Sequence, residues 1–256
     1  VRVIVTRPAA QAADWVERLR ASAIDAAALP LIGIAPVTDA SALHAAWHDL
    51  AQRDLLVFVS PNAAEQFFAA RPAGAAWPAR LQAGSPGPGT THVLAGLGVP
   101  AAVIVEPADD AAQFDSESLW ARLRTQAWAG RRVLIVRGDC GRDWLAQTLR
   151  DAGAQVDHVA AYRRVAPALD AGQASLLRAA LDRPESHLWF FSSSEAIDNL
   201  AASPLVGDAT VDWSRANALA THPRIAARAR QLGFARVTEA RPALGAVIAC
   251  IQSIGP

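Results

Sequence analysis

The sequence repeats itself, and that repetition limits the possible folds more than any other feature. The run Asp54–Ser60 (DLLVFVS) followed by PNAAEQF returns as Leu188–Ser193 (LWFFSS) followed by SEAIDNL, so that Phe58 matches Phe191, 133 positions later. The segment at 86–99 (PGPGTTHVLAGLGV) returns at 221–234 (THPRIAARARQLGF), with Gly98 matching Gly233, 135 positions later. Arg2–Pro8 (RVIVTRP) returns as Arg132–Gly138 (RVLIVRG), and Trp144 and Leu145 stand where Trp15 and Val16 stood. Each repeat couples a short β-branched or aromatic run to an amphipathic stretch, the pattern of a strand followed by a helix. Alternating strands and helices imply parallel sheets with helices on both faces. The expected fold class is therefore α/β, with two similar domains joined by a two-stranded extended linker.

The linker expectation comes from two runs that fit neither helix nor repeat. Pro30–Val37 (PLIGIAPV) and His158–Pro167 (HVAAYRRVAP) are short, apolar and fenced by proline. Read as crossings, they make the first domain discontinuous, residues 1–33 plus 167–256, and the second residues 38–158. The linkers are then about 34–37 and 159–166, and a cleft between domains is the default binding site. Within the domains the pattern predicts a helix over 10–21, another from Pro61 to Ala70, and a helix over 90–97. It also predicts a strand over 101–105 and a helix from Ser116, its cap, to about Gln126.

Composition removes whole classes of chemistry. The 256 residues carry 24 basic and 24 acidic side chains, which argues against nucleic acid or an anionic membrane as the main partner. All the basic residues are arginine, so no lysine is available for a Schiff base or a P-loop. At 52% hydrophobic and 19% charged the chain can pack a sizeable core. It has no membrane-length apolar run, and its opening segment reads as a strand, not as an export signal. Two cysteines, Cys140 and Cys250, supply neither a disulfide framework nor a metal cluster, so a cytoplasmic setting is expected.

Cofactor motifs are equally sparse. The turn after the first strand, Thr6-Arg7-Pro8-Ala9-Ala10, has no glycine. Gly138-Asp139-Cys140-Gly141 has two, and the GSPGPG stretch at 84–89 reads as following no strand. The glycine-rich dinucleotide fingerprint is thus missing. Of six histidines, only His44 and His48 have helical i,i+4 spacing, without the adjoining glutamate of a zinc protease, and they read as a solvated helix face. Cys140 beside Asp139 reads as an ordinary thiol. No metal and no organic cofactor are expected.

What remains is a set of small polar groups at strand ends and helix starts: Thr6 and Arg7, Ser60 and Asn62, Thr90 and Thr91, Arg137 and Gly138, and Ser192 to Ser194. In a parallel α/β domain those tips line the binding crevice, and free N–H groups at helix starts suit carboxylates or phosphates. Ser60 and Ser193 also serve as plain helix caps, so both roles stay open. Tyr162, the single tyrosine, lies beside Arg163 and Arg164. It reads either as a core aromatic or as a proton donor, since a phenol of pKa about 10 is protonated at neutral pH.

Taken in order, VIVTRP, PLIGIAPV, VFVSPNA, GPGT, FDSESL, RVLIVRG, GRDWLAQTLRDAGAQV, AYRR, FFSSSEAI and HPRIAARARQLGF resemble the uroporphyrinogen-III synthase family along nearly the whole chain. The resemblance implies two α/β domains on a two-stranded linker and no cofactor. It implies a lyase that closes hydroxymethylbilane, a linear tetrapyrrole with eight carboxylates, with loss of water and inversion of ring D through a spiro intermediate. Tyr162 takes the place of the family's linker tyrosine, as acid for the departing hydroxyl. Thr90 falls in the family's Gly-x-x-Thr segment, and Arg7, Ser60, Arg137, Gly138 and Ser193 become the carboxylate-holding set. At the second-half equivalent, His222-Pro223-Arg224-Ile225 departs from the hydroxyl-bearing pattern, leaving Thr221 or Arg224 to substitute. A cytoplasmic monomer, with a transient contact to the preceding enzyme of the pathway, is expected. The contrasting expectation is a non-catalytic tetrapyrrole- or anion-binding protein that kept the fold.

Overall fold

The computed structural model describes residues 1–139, 141–207 and 211–254, so Cys140 lies outside the described residues. The first elements are β1 (Arg2–Val5), α1 (Ala9–Ala21), β2 (Ala26–Ala28), β3 (Gly33–Pro36) and α2 (Ser41–His48). Then follow β4 (Leu55–Phe58), α3 (Pro61–Ala69), β5 (Gln82–Gly84), α4 (Pro88–Gly96) and β6 (Ile104–Val105). The middle of the chain holds α5 (Ser116–Leu123), β7 (Arg132–Gly138), α6 (Trp144–Asp151) and the long strand β8 (Gln155–Val165). It continues with α7 (Ala171–Asp182), β9 (His187–Phe191), α8 (Ser194–Ala201), α9 (Pro204–Gly207) and β10 (Asn217–Ala220). The last elements are α10 (Pro223–Leu232), β11 (Arg236–Glu239) and α11 (Leu244–Ile254). No helix among the described residues is long and apolar enough to cross a membrane.

The chain forms two compact units: Val1–Gly33 with Val165–Pro256, and Ile34–Arg164. Unit 1 has the sheet order β2-β1-β9-β10-β11, and unit 2 has β3-β8-β7-β4-β5-β6. Apart from the edge strand β3, the two orders are the same, with β8, β7, β4, β5 and β6 matching β2, β1, β9, β10 and β11. Those neighbours are all parallel. Register agrees as well: Leu188 pairs with Val3 and Asn217, as Leu55 pairs with Val133 and Gln82. The chain simply enters the repeated pattern at a different strand in each unit.

Central strands β4 and β9 are buried at every residue, as parallel strands covered on both faces must be. In unit 2, Leu56, Phe58, Leu134 and Val136 pack one way against Trp47 of α2, Phe67 and Phe68 of α3 and Leu94 of α4. Leu55, Val57, Val133 and Ile135 pack the other way against Leu119 and Leu123 of α5 and Leu145 and Leu149 of α6. In unit 1, Val3, Val5, Leu188 and Phe190 meet Ala12, Val16 and Leu19 of α1 and Val247 of α11. Gly98 and Gly233 both close their helices in the left-handed region, at φ 92° and 115°, where a side chain would be strained.

Several local expectations are corrected. The strand expected over 101–105 is a 3-10 turn, Ala101–Val103, followed by only two strand residues, because Pro100 starts the turn. The cap of α5 is Asp115, which accepts from Ser118 N at 2.9 Å, not Ser116; the helix ends at Leu123. The GSPGPG stretch does follow a strand, β5, whose Gln-Ala-Gly sequence carries no β-branched signal. Of the stretch 159–166 assigned to a linker, residues 159–162 belong to the sheet of unit 2, where β8 pairs with β7 as far as Tyr162.

Candidate functional site

Open parallel sheets bind ligands beyond the carboxyl ends of their strands, at the place where the strand order reverses. That place lies between β1 and β9 in unit 1 and between β7 and β4 in unit 2. It brings Thr6-Arg7 near Ser192-Ser193 in one unit, and Gly138 near Ser60 in the other.

In unit 2 the site is organised by a slip in strand register. Arg137 pairs with Ala160, but Gly138 pairs with Tyr162, leaving Ala161 as an extra residue in β8. Such a bulge turns two successive side chains to the same face. Ala161 and Tyr162 accordingly both join the core on the α2–α3–α4 side, each 1% exposed. Simple alternation would send the phenol to the other side. Gly138 makes room for it: a Cβ there would sit 3.0 Å from Tyr162 Cε2 and Cζ and 3.3 Å from the hydroxyl. Asp139 N closes the tip by donating to Tyr162 O at 3.0 Å.

The phenol oxygen is 3.3 Å from Ser60 Oγ. Ser60 caps α3, accepting from Ala63 N at 3.2 Å, with Pro61 at the first helical position where no N–H is needed. The neighbouring helix start is close, since a Cβ on Gly89 would sit 4.0 Å from Pro61 Cγ. There α4 is entered through Gly87, where a Cβ would clash with Phe114 Cβ at 2.8 Å. Thr90 is buried behind that turn and donates its N–H to Gly87 O at 3.1 Å. Thr91 Oγ1 lies 2.6 Å from Glu106 Oε2 and 2.9 Å from Ser85 Oγ, and Ser85 Oγ donates to Gly87 O at 2.8 Å. This hydroxyl cluster pins the turn, and the sequence reading named only its Thr91.

Arg137, grouped by the sequence with Ser60 and Gly138, goes elsewhere. It precedes Gly138 by one residue and its guanidinium is bound to Asp143 at the start of α6, on the α5–α6 side. There it lines a cavity of about 410 Å³ with Asp139, Arg150, His158 and others. Burial is the main reason that the His158 imidazole is harder to protonate than usual, with Arg137 adding to it and Asp143 opposing. The hydrogen bond from Arg137 pushes the Asp143 carboxyl below its usual range. The sequence reading contained no signal for this cavity, because its lining comes from three separate elements.

Unit 1 repeats the frame with different groups. Ser193 caps α8, accepting from Glu195 N at 3.2 Å. Thr6 Oγ1 donates to Phe190 O at 2.8 Å, tying β1 to β9. Arg7, at the position matched by Arg137, lays its guanidinium 4.8 Å from the centre of the Trp15 ring and 5.7 Å from Phe190. Its Nη1 reaches Gln11 Oε1 at 3.4 Å, while its buried Nε has no hydrogen-bond partner. Burial pushes the Arg7 pKa down to about 10, against the opposing pull of Asp14. Thr221 is buried, and Arg224 is exposed; the cap of α10 is His222, whose Nδ1 accepts from Arg224 N at 3.1 Å. His44 and His48 are exposed on α2, and no cluster of three or more His, Cys, Asp or Glu among the described residues could hold a metal ion.

Comparison with known proteins gives one consistent result. The family model described as uroporphyrinogen-III synthase HemD matches residues 13–249. The chain is 29% identical over 178 residues to the uroporphyrinogen-III synthase of Salmonella typhimurium, covering 68% of this chain and 69% of that one. It is 30% identical over 164 residues to that of Proteus mirabilis, covering 64% and 80%. Among solved structures, the fold resembles uroporphyrinogen-III synthetase from Helicobacter pylori (TM-score 0.59, 14% identity, 99% of both chains). It also resembles a mutant uroporphyrinogen III synthase from Thermus thermophilus (TM-score 0.57, 17% identity, 99% and 98%).

Proposed function

This chain belongs to the uroporphyrinogen-III synthase family, and from that premise we propose how its own residues carry the reaction. The enzyme is a lyase of heme biosynthesis that cyclises hydroxymethylbilane. Loss of the terminal hydroxyl as water leaves an electrophilic azafulvene. That carbon bonds to the already substituted carbon of ring D, giving a spiro intermediate that fragments and recloses with the ring inverted. Without the enzyme the chain end closes directly to the unrearranged isomer. A tenfold bias between the two closures needs only about 1.4 kcal/mol, so holding the flexible substrate in one geometry is most of the task.

In this reading Tyr162 is the source of the proton that leaves with the hydroxyl, and the proton released on final ring closure restores it. The observation that carries the assignment is the bulge at Ala161, which aims a buried phenol at Ser60 across a glycine. The slip sets the phenol on the α2–α3–α4 face, where plain alternation would not put it. The N–H groups at the starts of α3 and α4, with Thr90, take carboxylates of the substrate. In unit 1, Arg7, Ser193, Thr221 and Arg224 are the carboxylate-holding groups, Arg7 by its desolvated charge. Arg137 acts from a distance, tying the end of β7 to the start of α6 through Asp143. The reading also takes the protein as a cytoplasmic monomer that receives its substrate from the preceding enzyme.

The test couples the protein to a source of hydroxymethylbilane and separates the porphyrin isomers after oxidation. Isomer III is expected; isomer I alone, at the background rate, would reject the activity.

A further inference from the structure

We propose that Ser60, not the phenol, touches the substrate hydroxyl, and that Tyr162 acts behind it as the store of the proton. The inference rests on the reaction assigned above and concerns the route by which the proton travels. Tyr162 is 1% exposed, buried in the core cluster that also holds Phe58 and Val136, with its ring against Gly138. A group so enclosed does not meet a ligand directly. Ser60, 3.3 Å away, is only half-buried and stands at the tip of the strand–helix turn.

Counting protons and lone pairs gives the direction of the relay. A hydroxyl has two acceptor sites and one proton. Ala63 N–H occupies one acceptor site of Ser60 Oγ at 3.2 Å. If the phenol donates to the other, the serine proton has to point away from both, toward the open side of the turn. The reverse arrangement would leave the phenol proton facing the apolar core without an acceptor, a loss of about 1–3 kcal/mol. A hydroxyl that already accepts two hydrogen bonds is also polarised toward giving up its own proton.

The step balances as follows. The Ser60 proton moves to the substrate's terminal hydroxyl as the carbon–oxygen bond breaks, and water leaves. The Tyr162 proton moves to Ser60 Oγ in the same event. The phenolate left behind is the counter-charge to the azafulvene cation, and the partial positive charge at the start of α3 favours it. When the macrocycle closes and releases a proton, the same path returns it to Tyr162. Ser193, the matching cap of unit 1, accepts from Glu195 N, and the matching strand region carries Leu31 and Ile32 in place of a phenol. The relay thus belongs to one unit only.

Three substitutions separate relaying from capping. Ser60→Asn keeps an acceptor for Ala63 N–H, because Asn caps as well as Ser, but it has no hydroxyl proton. Ser60→Thr keeps both, and Ser60→Ala keeps neither. With melting temperature as the control, Ser60→Thr, which keeps the hydroxyl proton, should turn over far faster than Ser60→Asn. Ser60→Asn should melt like wild type, with isomer III turnover down about 100-fold, KM little changed and a flattened pH profile. Adding Tyr162→Phe to Ser60→Asn should cost little more, since the two act as one unit. Equal activity of the Asn and Thr variants, or losses that multiply in the double variant, would overturn the relay. A wild-type protein that makes no isomer III would overturn the reaction and the relay with it.

Discussion

The two units place the same frame around different chemistry. Each has the same five-strand order, and each has a serine capping the helix after its third-position strand, Ser60 in unit 2 and Ser193 in unit 1. Each also has an arginine at the end of its switch-point strand. Arg7 is stacked on Trp15 and Phe190 with little polar company, whereas Arg137 is neutralised by Asp143, and Trp144 beside it is 39% exposed. Where unit 1 has Pro8 and a β1–β2 pairing that stops at Val5, unit 2 has Gly138, a bulge and the phenol. On the proposed reading, the missing side chain at Gly138 and the extra residue at Ala161 are what set the unit 2 site apart for proton transfer.

The comparison can be broken at its largest difference first. Tyr162→Phe should lower isomer III turnover by about 100- to 1000-fold, the range of a lost general acid. Its melting temperature should fall by only a few degrees, for a hydrogen bond worth about 1 kcal/mol. Unchanged turnover would place the acid elsewhere. Gly138→Val should cost about 100-fold by pushing the ring off Ser60, as small misplacements do, while Pro8→Ala at the matched position leaves turnover near wild type. A steady-state rate measurement on both variants decides it.

A smaller effect is expected from the buried cation. Arg7→Met should raise KM about tenfold with kcat little changed, a loss of about 1.4 kcal/mol of binding. It also has a pH signature. The folded-state pKa of Arg7, about 10, is below its unfolded value, so the folded state releases the proton first. From about pH 10 up to the higher unfolded-state pKa the unfolded chain binds more protons, and wild type should gain stability relative to Arg7→Met as pH rises. Denaturant unfolding of both proteins at pH 9 and pH 11 measures the difference; a gap that stays constant would contradict the assignment. The smallest expected difference is in the caps. Ser60→Ala and Ser193→Ala should each lose about 1 kcal/mol of stability, read as similar drops in melting temperature.

Much of the fold was legible because it was written twice. Repeated strand–helix pairs such as VFVSPNA and FFSSSEAI carry a period that survives substitution, and Gly98 and Gly233 mark helix ends through a backbone requirement that few other residues meet. What escaped was short or non-periodic. The β5 strand is three small residues with no strand propensity, and Asp115 caps a helix that Ser116 could equally have started. The bulge was invisible for a deeper reason: one extra residue in a strand changes no composition, yet it reverses the face on which everything beyond it lies. For the same reason Tyr162, Ser60 and Gly138 could be named from the sequence but not joined, whereas plain alternation along β7 already sets Arg137 opposite Gly138. Arg7 was legible as a cation at a strand tip, while its aromatic bed depends on Phe190, far away in the chain.

The most direct test of the asymmetry between the units compares Ser60→Ala with Ser193→Ala at saturating hydroxymethylbilane, following the ratio of isomer III to isomer I in a single turnover. Proton delivery confined to unit 2 predicts that Ser60→Ala falls to the isomer I of unassisted closure while Ser193→Ala continues to make isomer III. Equal loss in the two variants, or none in either, would contradict it.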